Sequence, residues 1–472
     1  MKITIVGAGI AGLSLAIALK KSKTTHHVSI VESEKHLAEL GAGVQLTPQA
    51  VKYLFQWGLK EDLLNECIKP EKILFKDWKD SRLIGALDMT SFEEEYGAPY
   101  IVIHRATLLA ILYRHAISAG VVIYFVHEVT DYRVFEDTPD IEIDGGRNYL
   151  DSSLVIAADG INSFARSQLL GADDPGTKPT GWAALRMMAE VSKIKANPVT
   201  ANLVDLSTHN SNFWVAPDRS CMVYLIKDAS MLNIVLSHRD DVDMKDCTYE
   251  EHKKVIYDLF GDFDLPVKTL LDLALPKITN YPVHAVPPLP TWSNPSGTFA
   301  LVGDAAHAMA FYMSMGVSLA IEDAISLSTA LDLAYTNTNT NTHSLNAKAQ
   351  KHALDVFEHV RKRRVAAVQS ASLQAGNSYH VSEGKERKAL YELISRCNES
   401  VELELESESE ICGMSGEEKR IPCQGSGEVG GLANQHIRDW CYGYDAIGEI
   451  EAYFMDSEAE NGKPPLPARP RP

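Results

Sequence analysis

The stretch ITIVGAGIAG, residues 3–12, decides the fold of the N-terminal part of this chain. Its first four residues are all β-branched and predict a short buried strand, and the apolar run after the glycines has the length of a helix. Gly7 permits a tight turn, Gly9 lets the backbone approach a ligand, and Gly12 allows the helix to pack closely on the strand. Because a helix N-terminus offers free N–H groups and a positive dipole, the stretch predicts a site for the pyrophosphate of a dinucleotide.

An acidic residue follows at the spacing typical of such sites. Glu32 ends the next predicted strand, 20 residues after Gly12. A carboxylate at this position accepts hydrogen bonds from ribose hydroxyls. Because it would repel a 2′-phosphate, the site favours FAD or NAD over NADP.

Two further motifs follow apolar runs that read as strands covered on both faces. Residues 154–158 precede Asp159-Gly160, and residues 299–302 precede the sequence GDAAH at 303–307. Continuous apolar runs of this length are typical of parallel strands. Taken in order with the glycine stretch, these motifs predict a pocket wrapped around one large cofactor, and they point to FAD.

Composition limits the classes of function. The chain has 472 residues, 45% of them hydrophobic and 23% charged, with a formal net charge of −18. These values predict a soluble globular protein of two or three domains and disfavour general binding to nucleic acid. The seven cysteines have no metal-ligand or redox spacing, so we expect reduced thiols. A strand that starts almost at the first residue leaves no room for a signal peptide, and the run 10–19 is too short to span a membrane. The expected location is cytoplasmic.

The ordered motifs resemble those of the class A FAD-dependent monooxygenases, which have the para-hydroxybenzoate hydroxylase fold. The resemblance covers roughly residues 1–380 and is greatest to salicylate hydroxylase-like fungal members. It implies that Gly43 and Val44, in the segment 41–50, run under the flavin, and that Arg105 reaches the cofactor from a strand–helix junction. By the same resemblance, Asp159 helps to hold FAD and meets NAD(P)H.

The third motif and the helix after it are expected to contact the flavin part of the cofactor. Asp304, at the C-terminal end of a strand, accepts a hydrogen bond from the ribityl chain. Gly316 and Val317 open a helix toward the pyrimidine ring, where a helix N-terminus stabilises negative charge on reduced flavin.

The expected fold class is α/β, with a Rossmann-type FAD-binding domain, an inserted antiparallel-sheet substrate domain and a C-terminal helical region. Helices are predicted at 10–21, 108–119, 318–334 and 347–374. The predicted ranges are 1–70, 104–179 and 286–335 for the FAD-binding domain, 71–103 and 180–285 for the inserted domain, 336–346 for a Thr/Asn loop, 347–398 for C-terminal helices, and 399–472 for a mostly flexible acidic and Pro-rich tail.

The resemblance implies the reaction. FAD is reduced by NAD(P)H and reacts with O2 to a C4a-hydroperoxide, which hydroxylates or epoxidises an aromatic or indole-type natural product of secondary metabolism. No metal is required, and the sequence contains no HExxH motif. A flavin oxidase or dehydrogenase on the same fold, and a catalytically degenerate flavin-fold protein, remain alternatives.

Candidate residues on the substrate side lie in the inserted domain. Arg186 is placed to orient the substrate or donate a proton, and Tyr224 to hydrogen-bond it; a surface ion-pair arginine and a core tyrosine are the alternatives. Trp182 and Trp214 either line an aromatic pocket or pack in the core. His307 is expected to be structural rather than a base.

The segment after the third motif departs from the family pattern. Family members often carry prolines and then Gln-Gly here, whereas this chain has Ala308, Phe311 and Met315 in the sequence AMAFYMSMG. Because proline rigidifies a loop, we expect the segment to be looser or reshaped, which motivates the degenerate alternative.

Overall fold

The structure is a computed structural model. It describes residues 1–37, 43–132, 140–146, 148–242, 244, 247–274, 276–336, 343–397 and 431–460.

The strands, in chain order, are β1 (Lys2–Val6), β2 (His27–Glu32), β3 (Gly43–Leu46), β4 (Lys72–Asp77), β5 (Leu83–Asp88), β6 (Ile101–His104), β7 (Val122–Phe125), β8 (Val129–Asp131), β9 (Asp140–Ile143), β10 (Asn148–Asp151), β11 (Leu154–Ala157), β12 (Lys178–Glu190), β13 (Ser211–Ala216), β14 (Arg219–Ile226), β15 (Met231–Arg239), β16 (Thr279–Ala285) and β17 (Phe299–Leu301).

The α-helices, in chain order, are α1 (Ile10–Lys21), α2 (Pro48–Gln56), α3 (Lys60–Glu66), α4 (Phe92–Tyr96), α5 (Arg105–Ser118), α6 (Phe164–Leu170), α7 (Val191–Ala196), α8 (Tyr249–Phe260), α9 (Leu265–Leu273), α10 (Asp304–His307), α11 (Gly316–Thr336), α12 (His343–Tyr379), α13 (Lys385–Ser395), α14 (Gln435–Tyr442) and α15 (Ala446–Glu460).

A parallel five-stranded sheet forms the centre of the predicted cofactor domain. Its strand order is β17-β11-β1-β2-β7, and each neighbouring pair is parallel. Strand β11 is buried along its whole length, as its continuous apolar sequence predicts. Helix α1 is almost wholly buried because it contacts both α5 and α11 as well as the sheet. The predicted α/β class and Rossmann-type sheet are confirmed.

A mixed seven-stranded sheet carries the alternating sequences of the second domain. Its order is β16-β12-β15-β14-β13-β4-β5. The expectation of an antiparallel sheet is wrong at one pair, because β4 runs parallel to β13. Strand β14 alternates between two environments: Cys221 and Val223 face a core that includes residues of α8 and α9, while Ser220 and Met222 face the opposite way. Helices α8 and α9 were not predicted.

The segment 71–103 divides between two sheets. Strands β4 and β5 join the seven-stranded sheet, but β6 pairs with β3 in a two-stranded sheet. The last residues of the predicted inserted segment therefore belong structurally with the segment that begins at Gly43.

The C-terminal part is more ordered than the sequence indicates. Residues 431–460 were expected in a flexible tail, but they form α14 and α15, and α15 packs against α11 and α12. That part of the prediction is wrong; 399–430 and 461–472 lie outside the described residues. Helix α12 starts at His343, inside the predicted Thr/Asn loop, of which residues 337–342 also lie outside the described part.

Four charged side chains form a buried cluster between α11 and α12. Arg361 Nη1 donates to Glu322 Oε2 at 2.7 Å, and its Nε donates to Asp323 Oδ1 at 2.9 Å. Arg364 Nη2 donates to Glu322 Oε1 at 3.2 Å. Although burial acts to raise it, His307 and Arg361 hold the pKa of Asp323 at about 2. Each buried charge is thus compensated.

The same cluster fixes the C-terminal segment. Arg364 donates to the carbonyl oxygens of Trp440 at 3.0 Å and Cys441 at 2.8 Å, and its guanidinium lies 4.1 Å from the ring centre of Tyr444. The segment 439–445 is therefore packed against the core.

No described helix has both the length and the apolar character needed to cross a bilayer. The described residues also contain no group of three or more His, Cys, Asp or Glu side chains arranged to hold a metal ion.

We expect Arg361→Leu to lower the free energy of unfolding by about 3–5 kcal/mol, because it leaves the carboxylates of Glu322 and Asp323 buried with less compensation. Urea unfolding of flavin-free protein measures the change. The control is Lys193→Met, which removes the cation of an exposed pair with Glu190 and should cost less than about 1 kcal/mol. Equal losses in the two variants would contradict a stabilising role for the buried cluster.

Candidate active site

A cavity of about 480 Å³ lies where the parallel sheet meets the seven-stranded sheet. One wall comprises the glycine stretch, the start of α10 and the start of α11. The facing wall comprises side chains from β4, β12, β13, β14 and β15. The predicted cofactor segments and the predicted substrate segments therefore share one cavity.

The three glycines of the first motif have different tasks. Gly7 has φ +103°, and a Cβ there would lie 2.5 Å from the carbonyl oxygen of Ala158. A Cβ on Gly12 would lie 2.0 Å from the carbonyl oxygen of Gly7. Gly9 lines the cavity, and a Cβ on it would meet nothing within 4 Å. Gly7 and Gly12 thus allow the loop to form, while Gly9 leaves room beside it.

Glu32 lies at the end of β2 against this loop. Its Oε2 accepts a hydrogen bond from the backbone N–H of Ala8 at 2.7 Å, and its Oε1 accepts one from Glu34 at 2.9 Å. The carboxylate is half-buried and held beside the helix N-terminus, which is the placement that the spacing from Gly12 predicts.

Asp304, Arg105, Gly316 and Val317 all line the cavity. The accessible side of Asp304 faces the cavity, and protein surrounds its other sides. This burial raises the pKa of its carboxyl, although His307 and Arg105 act to lower it. Arg105 begins α5 and Gly316 begins α11. The structure brings these four predicted residues together.

Asp159 stands apart from this group. Its carboxylate accepts hydrogen bonds from Ser163 Oγ at 2.6 Å and from the N–H of Ala165 at 3.1 Å, and Tyr132 donates to it at 3.4 Å. The neighbouring Gly160, with φ +81°, lines the cavity instead. The carboxylate of Asp159 therefore holds the turn that presents Gly160 and the start of α6.

Tyr224 connects β14 of the seven-stranded sheet to β3. Its hydroxyl donates to the carbonyl oxygen of Gly43 at 2.9 Å, and burial raises its pKa to about 12, although Arg186 acts to lower it. Gly43 must be glycine because a Cβ would lie 2.4 Å from the Tyr224 ring. Both residues and Val44 line the cavity. The hydroxyl proton of Tyr224 holds the backbone of β3, so in the predicted hydrogen bond to substrate this hydroxyl would act as the acceptor.

Arg186 lines the cavity from β12, on the seven-stranded sheet. Its guanidinium lies 5.6 Å from the ring centre of Tyr281. Among the described residues its buried Nε has no hydrogen-bond partner. An unpaired buried donor is unfavourable, so the described protein groups leave part of the hydrogen-bonding capacity of Arg186 unused. The alternative of a surface ion pair does not fit this position.

The segment after His307 is reshaped rather than loosened. Gln369 Nε2 donates to the carbonyl oxygens of Ala308 at 3.1 Å and Val286 at 2.9 Å, and Ser372 Oγ donates to that of Ala310 at 2.7 Å. Side chains of α12 thus fix the backbone where family members use proline.

His307 has the expected structural role. Its Nε2 donates to Asp323 Oδ2 at 2.6 Å, and its ring packs on Trp292 with ring centres 5.2 Å apart. Among the described residues its buried Nδ1 has no hydrogen-bond partner.

Most of the aromatic residues that line the cavity, all except Tyr224 and Phe311, were not singled out from the sequence. Trp182 and Trp214 are buried and absent from the described lining of the cavity, so the packing alternative holds for both. The aromatic residues that line the cavity are Phe75, Tyr100, Phe213, Tyr224, Phe311, Tyr312 and Tyr379. The alternating sequences of β4 and β13 could have predicted that Phe75 and Phe213 each lie on one face of their strand. They could not have predicted that these two strands pair.

The residues present fit FAD. The space beside Gly9 is open, a carboxylate is held at the end of β2, and Asp304 presents an acceptor to the interior of the cavity. The start of α11 also faces the cavity. These are the groups that a pyrophosphate, a ribose and a ribityl chain require.

Residues 1–372 match the FAD binding domain family. Because this match covers most of the chain, the chain belongs to that family. The predicted cofactor, FAD, and the predicted class of fold are confirmed.

Individual relatives indicate which kind of FAD-binding protein the chain is similar to. The chain is 26% identical over 460 residues to the FAD-dependent monooxygenase OpS4 of Beauveria bassiana (strain ARSEF 2860), covering 97% of this chain and 98% of that protein. It is 28% identical over 388 residues to 3-hydroxybenzoate 6-hydroxylase 1 of Aquipseudomonas alcaligenes, covering 81% and 90% respectively. A solved substrate complex of salicylate hydroxylase shares the fold, with a TM-score of 0.72 at 22% identity over 96% of this chain and 98% of that one. The family resemblance is confirmed.

We expect Gly9→Ala to separate cofactor binding from folding. Because the added methyl group meets no protein atom within 4 Å, the flavin-free protein should keep its stability within about 0.5 kcal/mol, while FAD affinity falls about tenfold or more. FAD titration and urea unfolding measure the two effects.

Gly12→Ala is the matched contrast. Its methyl group would clash with the Gly7 carbonyl, so the flavin-free protein itself should lose about 1–3 kcal/mol. Unchanged FAD affinity in Gly9→Ala would show that the pyrophosphate does not lie beside Gly9.

Proposed function

We propose that this chain is an FAD-dependent monooxygenase that uses NAD(P)H and O2 to hydroxylate or epoxidise an aromatic or indole-type natural product. The observation that carries the proposal is the shared cavity. Residues of the three motifs and aromatic residues of the seven-stranded sheet line one space. The monooxygenase and hydroxylase names of the relatives support the reaction class.

Gly9, Glu32, Gly43, Val44, Arg105, Asp304, Gly316 and Val317 would hold FAD, Gly7 and Gly12 shape its loop, and Asp159 supports the turn at Gly160. When bound, FAD supplies electron transfer from NAD(P)H and the activation of O2.

The chain itself positions the substrate and excludes water. The rings of Phe75, Phe213 and Tyr379 offer apolar surface to a planar molecule. Arg186 lines the cavity, and its Nε has no partner among the described residues; its guanidinium can orient a phenolate, carboxylate or amide oxygen or donate to an oxygen that develops charge. The segment held by Gln369 and Ser372 lines the same cavity.

The test is incubation of flavin-loaded protein with NADPH, ¹⁸O2 and a panel of phenols and prenylated indoles. We expect at least one compound to accelerate NADPH oxidation and to gain one ¹⁸O atom, read by product mass. Compound-dependent NADPH oxidation that yields only hydrogen peroxide would indicate an oxidase instead. Protein that cannot be loaded with FAD would indicate the degenerate alternative.

We expect Arg186→Ala to retain bound flavin and to lower product formation by about 100-fold or more, because the substrate loses its polar anchor. Flavin absorbance and product yield report the two properties separately. The control is Arg82→Ala, which removes an exposed arginine paired with Asp77 on the outer part of the sheet. Unchanged turnover in Arg186→Ala would remove this residue from the mechanism.

A further inference from the structure

The face of the seven-stranded sheet that lines the cavity is arranged in rows. Antiparallel pairing sets Tyr224 opposite Asn233, Met222 opposite Val235, and Ser220 opposite Ser237. On β12, Arg186 stands opposite Val235 and therefore belongs to the second row. Successive rows are two residues apart, or about 7 Å along the strands.

The serine row lies at the end of the cavity remote from β3. The first row contacts β3 through the hydrogen bond between Tyr224 and Gly43. Two steps along the strands, about 13 Å, separate this row from Ser220 and Ser237. Both serines are buried, with 3% and 2% of their surfaces accessible, and both line the cavity.

Ser220 has a buried partner that leaves its own proton free. Its Oγ lies 2.9 Å from Nε2 of His380, and among the described residues Nδ1 of that histidine is buried without a partner. Burial, with Arg239 and Arg387, lowers the pKa of His380 to about 3, so the ring is neutral and carries one N–H. Nδ1 is unpaired in either tautomer, and because buried donors are left unpaired less often than buried acceptors, we assign the proton to Nε2, which then donates to Ser220. The Ser220 proton is then available to the cavity.

Ser237 forms a similar pair with Tyr312. The two hydroxyl oxygens are 2.8 Å apart, and both residues line the cavity. Each hydroxyl carries one proton and the pair uses only one of them between its oxygens. The phenolic O–H is the more acidic of the two hydroxyls, so we assign Tyr312 as the donor and Ser237 as the acceptor, which leaves the Ser237 O–H for a ligand.

We propose that Ser220 and Ser237 form a two-donor site that binds a carbonyl or other acceptor oxygen at the end of a polycyclic aromatic substrate. The inference rests on the proposed function, because it names the part of the substrate that lies farthest from the flavin. Cross-strand neighbours stand about 5 Å apart, so the two hydroxyls can converge on one oxygen. The row between this site and the Tyr224 row holds Met222 and Val235, with Phe213 and Phe75 beside them on β13 and β4, and this apolar surface suits fused rings rather than a single small ring.

The test uses two probes of the same shape with flavin-loaded protein. They are 2-acetylnaphthalene, which has an acceptor oxygen, and 2-isopropenylnaphthalene, in which a CH2 group replaces that oxygen. Calorimetry measures both dissociation constants. We expect the wild-type protein to bind the ketone about tenfold more tightly, which corresponds to two net hydrogen bonds of modest strength.

The double variant S220A/S237A should bind the two probes with about equal affinity. Its affinity for 2-isopropenylnaphthalene should differ from that of the wild-type protein by less than about twofold. The infrared carbonyl band of bound 2-acetylnaphthalene should move to higher frequency, because hydrogen bonds to that oxygen are lost. The control is Ser211→Ala, which alters a buried serine of β13 that is not among the described lining residues. It should keep the tenfold preference.

An unchanged preference in S220A/S237A, or wild-type protein that holds flavin yet binds neither probe, would overturn the assignment. A lost preference supports it even if no compound becomes oxygenated. Failure of the ¹⁸O experiment with intact probe selectivity would overturn the proposed reaction and leave the two-donor site standing.

Discussion

The buried carboxylate of Asp323 is the interaction on which the site most depends. It accepts hydrogen bonds from the N–H of Gly303 at 2.9 Å, from His307 Nε2 at 2.6 Å and from Arg361 Nε at 2.9 Å. Three segments distant in sequence are therefore fixed at one point. A buried carboxylate is unfavourable unless it is fully paired, so the start of α10 and the N-terminal half of α11 keep a defined relation. Asp304 reaches the cavity from this fixed base.

Contacts across the cavity hold the two walls in register. The hydrogen bond from Tyr224 to Gly43 joins β14 to β3, and Ser237 with Tyr312 joins β15 to the segment after His307. Gln369 and Ser372 add contacts from α12 to the same segment. These polar contacts lie among the apolar side chains of the cavity, whose mostly apolar lining therefore includes a few fixed donors. Such a space suits chemistry that water would interrupt.

Much of the fold could be predicted because its signals are local. The strand–glycine–helix pattern at 3–12 and the apolar runs before Asp159 and Gly303 depend only on neighbouring residues. The partners of Asp323 could not be predicted, since Arg361 comes 38 residues later and meets it only once α11 and α12 pack. Strand pairing likewise decides which strand faces line the cavity. The pairing of β13 with β4, and its register, could not be predicted from the local sequence of either strand. Helices α14 and α15 were missed because they are stabilised by packing rather than by their own composition: α15 packs on α11 and α12, and α14 packs on α2 and is held by Arg364 of α12.

A crystal structure of the flavin-loaded protein tests most directly whether the three motifs build one FAD site. The predicted result is a pyrophosphate beside Gly9 and the start of α1, a ribityl chain at Asp304, and the ring system between β3 and the start of α11, facing the row of Arg186. FAD bound outside this cavity, or a ring system that occupies the serine row and leaves no space for a substrate, would contradict it.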